Sequence, residues 1–274
     1  MKDVPNEISL EIARKIINEM IKFANDNKLL PGSYAVVDAG GHVVAFERRD
    51  MGLPATGDIA IDKAWTAATM MSSGKMLEVI TMGQGWRLNV KHKGRLTIIP
   101  GTIPLISHNK VIGGVGHSGG SADDDEKISQ AGMSAMYRED KIEVEVEEAL
   151  TISRNIALES IKYVENKKLK PVVVSTVDKY GWINLIYRMD GANYGLLEIA
   201  RDRAWTAAAF GIPSDKVLDI IGDDAKINWN ERLNTSAGGI PYILKNKISG
   251  AIGIAGNTPS EDKKIAEAAL KKIK

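Results

Sequence analysis

The chain has 274 residues, a length that suits two domains better than a single core. Hydrophobic residues make up 44% and charged residues 26%, which excludes wholesale disorder, and a net charge of +1 gives no indication of a nucleic-acid partner. Cysteine is absent, which excludes disulfides, thiolate metal sites and a cysteine nucleophile. The sequence shows no secretory signal and no apolar run long enough to span a membrane, so we expect a cytoplasmic protein without a membrane partner.

The sequence repeats itself. A shift of 140 residues aligns residues 37–70 with 177–210 at 13 identical positions of 34, and it superimposes the two copies of the sequence AWTAA, at 64–68 and 204–208. A shift of 137 aligns three glycines of a later block with three more, namely Gly113, Gly116 and Gly119 with Gly250, Gly253 and Gly256. The pattern predicts a tandem duplication, with repeat 1 over residues 1–140 and repeat 2 over residues 146–274.

Each repeat shows the same order of elements. A helical apolar stripe comes first, followed by two extended runs joined at a tight turn that ends in Gly41 or Gly181. The AWTAA helix follows, then a second hairpin, then a helix that begins near Ser121 or Thr258. Because strands joined by short turns are antiparallel, the predicted fold class is α+β.

The blocks VVDAGGHVV, DKAWTAA and NKVIGGVGHSGG, in this order, resemble the GlcG/HbpS-like haem-binding domain. The same domain forms the C-terminal part of PduO-type cobalamin adenosyltransferases. The resemblance implies two profilin-like domains, each an antiparallel sheet flanked by helices, usually assembled into homo-oligomers, with haem as the implied cofactor. Some relatives hold the iron through a histidine of the first helix, but residues 8–28 and 146–166 contain no histidine.

All four histidines lie in repeat 1, and His117 takes the place of Ile254 in repeat 2. We consider two roles for His117: a hydrogen-bonded structural residue, or a catalytic or iron-binding residue. Ser118 fits the pattern G-x-S-x-G, but no histidine follows it, which argues against a hydrolase triad. The backbone N–H groups of Ser118, Gly119 and Gly120 precede a helix, so they either bind an anionic ligand or belong to a simple helix cap.

The AWTAA helix offers a second group of candidates. We interpret Trp65 and Trp205 as core anchors. Asp62 and Thr66 are four residues apart, on one helix face, as are Asp202 and Thr206 in repeat 2. This face is predicted to line a pocket, with Asp62 as a candidate catalytic group and Thr66 and Asp202 as candidate ligand-binding residues.

Arg48 and Arg188 end equivalent strands, two residues before Asp50 and Asp190. Each arginine is a candidate to bind a ligand carboxylate or a haem propionate. A structural Arg–Asp bridge across the loop is the alternative.

The sequence thus predicts a small-ligand binding protein that forms an internal pseudo-dimer, with haem as the ligand that the resemblance implies. We expect the ligand between the AWTAA helix and the glycine-rich turn of a repeat. The alternative is an enzyme, a lyase, isomerase or hydrolase, acting on a small oxygenated or carboxylate metabolite with His117 and Asp62 as proton-transfer groups. A third hypothesis is a purely structural role.

Overall fold

The computed structural model describes residues 5–81, 89–90, 92–138, 140–222 and 231–273. The chain divides into two compact units, Met1–Glu147 and Glu148–Lys274. The first unit extends beyond residue 140 because the segment that follows is held by repeat 1: Ile142 is buried, and its carbonyl accepts a hydrogen bond of 2.7 Å from Asn18 Nδ2. Arg49 Nε donates to Glu147 Oε1 at 2.8 Å, which attaches the last residue of the unit.

In the first unit the described elements follow the predicted order. They are α1 (Leu10–Asp26), β1 (Ser33–Asp38), β2 (Val43–Arg48), α2 (Thr56–Met70), α3 (Gly74–Ile80), β3 (Thr102–Ser107), β4 (Lys110–Ser118) and α4 (Ala122–Ala135). Helix α2 carries the AWTAA sequence. Ser121 caps α4, because its Oγ accepts a hydrogen bond from Asp124 N at 3.2 Å.

The second unit repeats this order. Its described elements are α5 (Glu148–Asn166), β5 (Val173–Asp178), β6 (Ile183–Arg188), α6 (Leu196–Phe210), a 3-10 turn (Ser214–Lys216), α7 (Leu218–Ile221), β7 (Gly239–Leu244), β8 (Lys247–Ala255) and α8 (Pro259–Leu270). Helix α6 carries the second AWTAA sequence, and Thr258 caps α8 as Ser121 caps α4.

Strands pair in the same way within each unit. In the first, β1 pairs with β2 and with β4, and β4 pairs with β3; in the second, β5 pairs with β6 and β8, and β8 with β7. Every one of these pairs is antiparallel, and the β1/β2 pair and the β5/β6 pair carry a register shift at the same place, before Val37 and before Val177. The α+β class with an antiparallel sheet flanked by helices is therefore confirmed.

Glycines let the AWTAA helix lie directly against the sheet. A Cβ atom on Gly114 would lie 2.2 Å from the Ala64 carbonyl oxygen, and one on Gly116 would lie 2.2 Å from the Ala60 carbonyl oxygen. Such distances exclude any side chain, so helix backbone and strand backbone are in contact along this face. The helix and the glycine strand leave no room for a ligand between these backbones.

The prediction that Trp65 and Trp205 are core anchors is wrong. Both side chains are half-buried and pack over the hairpin turn, where a Cβ atom on Gly41 would lie 2.6 Å from Trp65 Cδ1. Gly41 has φ of +78°, so the turn needs glycine for conformation and for space. The apolar side chains that α2 buries are alanines, which allow the close helix–sheet approach, and Lys63 is the one large side chain of α2 that is buried.

Within the part of the chain that the structure describes, no helix has both the length and the apolar composition required to cross a lipid bilayer.

Candidate functional site

A buried polar cluster joins α2, β4 and α4 in repeat 1. Lys63 Nζ donates to Asp125 Oδ2 at 2.7 Å and to the His117 carbonyl oxygen at 2.8 Å. Asp125 Oδ1 also lies 2.9 Å from His117 Nδ1 and accepts from Gly120 N at 3.0 Å. All three side chains are buried, so the opposite charges of Lys63 and Asp125 neutralise each other where water does not reach them.

Electrostatics keep the His117 imidazole neutral. Burial lowers the pKa of His117 below its ordinary value of 6.5, and the Asp125 carboxylate offsets this only in part. Burial alone would raise the pKa of Asp125, but hydrogen bonds from His117 and Lys63 outweigh it and lower that pKa. An ionised carboxylate only accepts hydrogen bonds, so His117 Nδ1 carries the proton and Nε2 keeps a free lone pair. Nε2 is buried and has no hydrogen-bond partner.

Repeat 2 builds the same junction from other residues. Arg203 Nη1 donates to Asp262 Oδ2 at 2.8 Å and to the Ile254 carbonyl oxygen at 2.5 Å. Arg203 Nε also donates to Ser236 Oγ at 2.9 Å. A buried cation–aspartate pair thus occurs in both copies, whereas an imidazole lies beside it in repeat 1 alone.

Glycine backbone packs directly against His117 Nε2. A Cβ atom on Gly32 would lie 2.7 Å from Nε2 and 2.3 Å from the Ser118 carbonyl oxygen, and one on Gly119 would lie 2.5 Å from Gly32 Cα. Gly52 packs against Gly32 in turn, since its Cβ would lie 3.0 Å from the Gly32 carbonyl oxygen, and both glycines are buried. We call Gly32, Gly52 and Gly119 the glycine cover. At the position of Gly32, repeat 2 has Val172.

Exposed apolar side chains flank the glycine cover in repeat 1. Leu30, Met51 and Leu53 are 66%, 77% and 69% exposed, and each lies within two residues of Gly32 or Gly52. We call these three residues the apolar rim. At the equivalent positions repeat 2 has polar or small residues, namely Lys170, Gly191 and Asn193.

The predicted ligand-binding arginines lie at the loop that carries this rim. Arg48 is buried, and its Nη1 donates to the Gly52 carbonyl oxygen at 3.1 Å. Arg188 Nη1 makes the equivalent bond to the Ala192 carbonyl oxygen at 3.3 Å. Both arginines therefore brace the turn that follows their strand, and in repeat 1 this bond fixes the rim beside the glycine cover.

The predicted Asp62 site lies elsewhere on α2, at the surface. Asp62 Oδ1 accepts from Arg95 Nε at 3.1 Å, and the Arg95 guanidinium lies 4.7 Å from the centre of the Trp65 ring. Burial raises the pKa of Asp62, and Arg95 opposes the rise. In repeat 2, Asp202 lies 3.7 Å from Arg232, and burial together with Glu198 raises the pKa of Asp202 to about 6.

Thr66 and Thr206 form hydrogen bonds with the backbone of the loops that pack against α2 and α6. Thr66 is fully buried; its Oγ1 accepts from Thr97 N at 2.9 Å and donates to the Arg95 carbonyl oxygen at 3.3 Å. Thr206 makes the equivalent pair of bonds with Asn234 N and the Arg232 carbonyl oxygen. Asp62 and Thr66 thus share a helix face, as predicted, but Thr66 faces backbone groups of the same repeat.

The glycine-rich turn contributes backbone to the cluster. Ser118 is buried and Gly119 belongs to the cover, while Gly120 N is already bonded to Asp125 Oδ1. One of the three N–H groups considered for anion binding is therefore occupied by a carboxylate of the protein itself. In the described ranges, no group of three or more His, Asp or Glu side chains is arranged to hold a metal ion.

Three features of this site were not found from the sequence. Lys63, Gly32 and Tyr34 are not among the residues predicted for the site. Tyr34 is buried with its ring centre 4.7 Å from that of His117, and burial raises its pKa to about 12. The alignment of the two repeats could have pointed to the ion pair, because a basic residue (Lys63, Arg203) and an aspartate (Asp125, Asp262) occupy equivalent positions in both repeats.

Similarity to known proteins extends over both repeats. The chain is 33% identical over 128 residues to an uncharacterised 15.0 kDa protein of the dhaT–dhaS intergenic region of Citrobacter freundii, covering 44% of this chain and 90% of that protein. It is 31% identical over 108 residues to the corrinoid adenosyltransferase PduO of Salmonella typhimurium, covering 38% of this chain and 32% of PduO. The chain thus matches about a third of the length of that relative.

Among solved structures, a PduOC:haem complex aligns at 24% identity with a TM-score of 0.41, covering 47% of this chain and 94% of that one. The family model described as haem degrading protein HbpS-like matches residues 8–134 and again 150–271. The chain therefore belongs to the HbpS-like family and contains the family's domain twice.

Proposed function

We propose that this protein binds a small planar ligand, with haem as the first candidate, and that repeat 1 carries the specialised site at its glycine cover. The observation that carries the proposal is the apolar rim. Leu30, Met51 and Leu53 present apolar surface to solvent in repeat 1, and repeat 2 has Lys170, Gly191 and Asn193 there. Apolar side chains grouped at the surface are typical of binding sites.

The residues present fit haem in one respect and not in another. A porphyrin face is apolar, which suits the rim, whereas the unpartnered Nε2 of His117 is buried against Gly32 and is not open to an iron in this structure. The family description names haem as well. Arg48, Ser118 and Gly119 then contribute to the site by holding the rim and the cover in place, and Gly120 by its bond to Asp125.

A haemin titration of the full chain tests this proposal. The variant Leu30→Lys/Met51→Gly/Leu53→Asn gives repeat 1 the residues of repeat 2 at exposed positions, so we expect it to fold normally. Loss of this apolar contact costs about 3 kcal/mol, or about a hundredfold in affinity. A matched control changes Ile243 and Ile248, which are exposed apolar residues of repeat 2, to Asn. Equal haemin affinity of the rim variant and the unchanged protein contradicts the proposal.

An enzyme acting on a small carboxylate metabolite is the second hypothesis. The observation that favours it is the His117–Asp125 pair, since a carboxylate that orients an imidazole is a common acid–base arrangement. Asp62, with its raised pKa, is the second proton-transfer candidate, and Thr66, Arg188 and Asp202 complete the set of predicted ligand-binding residues. This hypothesis requires that both His117→Ile and Asp62→Asn abolish turnover of a lyase, isomerase or hydrolase substrate.

The assembly of the protein is also a proposal. We propose that the two repeats form an internal pseudo-dimer, that the chain assembles further into homo-oligomers, and that it acts in the cytoplasm. Light scattering coupled to size-exclusion chromatography measures the number of chains per particle, and a single chain per particle contradicts the homo-oligomer.

A further inference from the structure

We propose that the turn between β5 and β6 of repeat 2 is the surface through which two copies of this chain associate. The inference rests on the homo-oligomer proposed above and adds to it the contact surface. Tyr180 and Trp182 lie on either side of Gly181 in this turn, and their side chains are 73% and 43% exposed. We call Lys179, Tyr180 and Trp182 the aromatic tip.

Four hydrogen bonds to Asp178 hold the aromatic tip in place. Asp178 Oδ1 accepts from Tyr180 N at 2.9 Å and from Trp182 N at 3.0 Å. The Asp178 backbone forms two more bonds, because its carbonyl oxygen accepts from Gly181 N and its N–H donates to the Trp182 carbonyl oxygen. The turn is therefore ordered before any partner arrives, which lowers the entropy cost of binding through its side chains.

Repeat 1 builds the same turn without the aromatic residues. Asp38 Oδ1 accepts from Gly40 N at 2.9 Å and from His42 N at 3.0 Å. Gly40 and His42 occupy the positions that Tyr180 and Trp182 occupy in repeat 2. Because the hydrogen bonds of the turn use only backbone N–H groups of these positions, the fold requires no aromatic side chain at either of them. The two exposed rings are explained by a contact with another molecule.

The surface beside the aromatic tip is also aromatic and cationic. A Cβ atom on Gly181 would lie 2.6 Å from Trp205 Cδ1, so the Trp205 ring packs against the turn. The Arg232 guanidinium lies 5.4 Å from the centre of the Trp205 ring. On the tip itself, Lys179 Nζ lies 4.8 Å from the centre of the Tyr180 ring. Trp, Tyr and Arg are the residues that contribute most to binding in protein–protein interfaces, so this composition indicates a protein partner.

A second copy of the chain is the partner that fits this surface. The aromatic tip occurs once per chain, so a contact between two tips, related by a two-fold axis, closes at two chains. The exposed parts of Tyr180 and Trp182 offer roughly 250 Å² per chain, whereas a standard interface buries roughly 800 Å² per partner. The tips thus form the apolar centre of a small interface, and we expect a weak dimer that depends on concentration.

Sedimentation velocity of the full chain over a range of concentrations measures this association. The variant Tyr180→Gly/Trp182→His gives repeat 2 the turn residues of repeat 1, so we expect it to keep the circular dichroism spectrum of the unchanged protein. Its dimer dissociation constant should rise at least tenfold, and that of Tyr180→Ser alone at least threefold. Ile220→Asn is the matched control, because Ile220 is an apolar residue of the same repeat that is 64% exposed. This control should dimerise as the unchanged protein does.

Cross-linking tests the position of the contact. The chain has no cysteine, so Lys179→Cys introduces a single thiol. A two-fold contact between tips places this thiol close to its counterpart on the second chain, and a short bismaleimide should join the two at least tenfold faster than it joins chains of Lys141→Cys. The Lys141 side chain is 86% exposed and lies outside the tip, which makes it the control position.

Salt separates a contact between two tips from a contact with an oppositely charged surface. Lys179 brings the same charge from both chains, so added salt should leave the dimer unchanged or strengthen it. A dimer that dissociates on addition of salt shows that the tip meets acidic groups instead, and overturns the inference.

The remaining outcomes distinguish the inference from the proposed assembly. Unchanged association in Tyr180→Gly/Trp182→His, or equal cross-linking rates at the two thiol positions, overturns the contact between tips and leaves the homo-oligomer standing. Loss of association in Ile220→Asn also overturns it, because the contact then lies elsewhere on repeat 2. A single chain per particle at every concentration overturns both the inference and the homo-oligomer.

Discussion

Repeat 1 and repeat 2 both bury a cation of the AWTAA helix against an aspartate of their last helix, but they surround this pair differently. Lys63 is compact and leaves space for the His117 ring, whereas the guanidinium of Arg203 extends to Ser236 and its neighbour is Ile254. The shared pair belongs to the fold, because both copies keep it. The imidazole, the glycine cover and the apolar rim occur in repeat 1 alone, which is where we place the function.

The largest expected effect concerns the shared ion pair. Lys63→Met and Arg203→Met each leave a buried aspartate without its cation, which costs about 3–5 kcal/mol of stability in the affected repeat. Hydrogen exchange followed by mass spectrometry measures this separately in each repeat. Lys141→Met is the control, since Lys141 forms an exposed ion pair with Glu143. A large loss in one repeat and none in the other would show that the pair is not a shared element of the fold.

The second effect sharpens the difference between the repeats. Gly32→Ala places a methyl group against the Ser118 carbonyl and the His117 ring, so we expect a loss of about 2–3 kcal/mol in repeat 1. Val172→Ala, at the same position of repeat 2, should cost about 2 kcal/mol through the cavity that it leaves rather than through a clash. Urea unfolding monitored by hydrogen exchange compares the two. Unchanged stability of Gly32→Ala would mean that the glycine cover is loosely packed.

A third prediction is that Thr66 and Thr206 contribute equally to the stability of their own repeats. Thr66→Val and Thr206→Val each remove the acceptor of a partly buried backbone N–H, at Thr97 or Asn234, and should each cost about 1 kcal/mol. Thr69→Val is a control, because Thr69 is exposed and its hydroxyl donates to the Trp65 carbonyl oxygen of the same helix. If Thr66→Val weakens haemin binding without a change in stability, then Thr66 acts on the ligand as first predicted from the sequence.

The smallest effect is a difference in the response to acid. The pKa of His117 is lowered in the folded state, so the unfolded chain takes up a proton first as the pH falls. The neutral His117 therefore stabilises repeat 1 fully above pH 6.5, the pKa in the unfolded chain, and this stability is lost as the pH falls below 6.5. The pKa of Asp202 is raised to about 6, so the folded state takes up a proton first and repeat 2 gains stability as the pH falls from 6 towards 3.8.

Hydrogen exchange, corrected for its intrinsic pH dependence, measures both responses in one sample. His117→Ile should abolish the response of repeat 1 near pH 6.5, and Asp202→Asn should abolish that of repeat 2 below pH 6. Responses of the same sign in both repeats would contradict the assigned electrostatics.

The duplication, the order of elements and the antiparallel pairing could all be predicted from the sequence. These follow from local signals: apolar periodicity, turn residues such as Gly41, and caps such as Ser121 and Thr258 act over a few residues and are visible in one chain. The self-match also singled out His117, because comparison with Ile254 exposes a residue that the fold does not need.

The contacts of each candidate residue could not be predicted, because they depend on how distant segments pack together. Lys63 and Asp125 are 62 residues apart. Gly32 directly precedes β1 and His117 lies in β4, so these two residues meet only because the strands pair. The prediction that Trp65 is a core residue is wrong because it rests on the size and apolarity of the side chain. Close backbone contact at Gly114 and Gly116 instead favours alanines of α2 in the core. A lone pair without a donor is a property of packing in three dimensions, and no local pattern in the sequence encodes it.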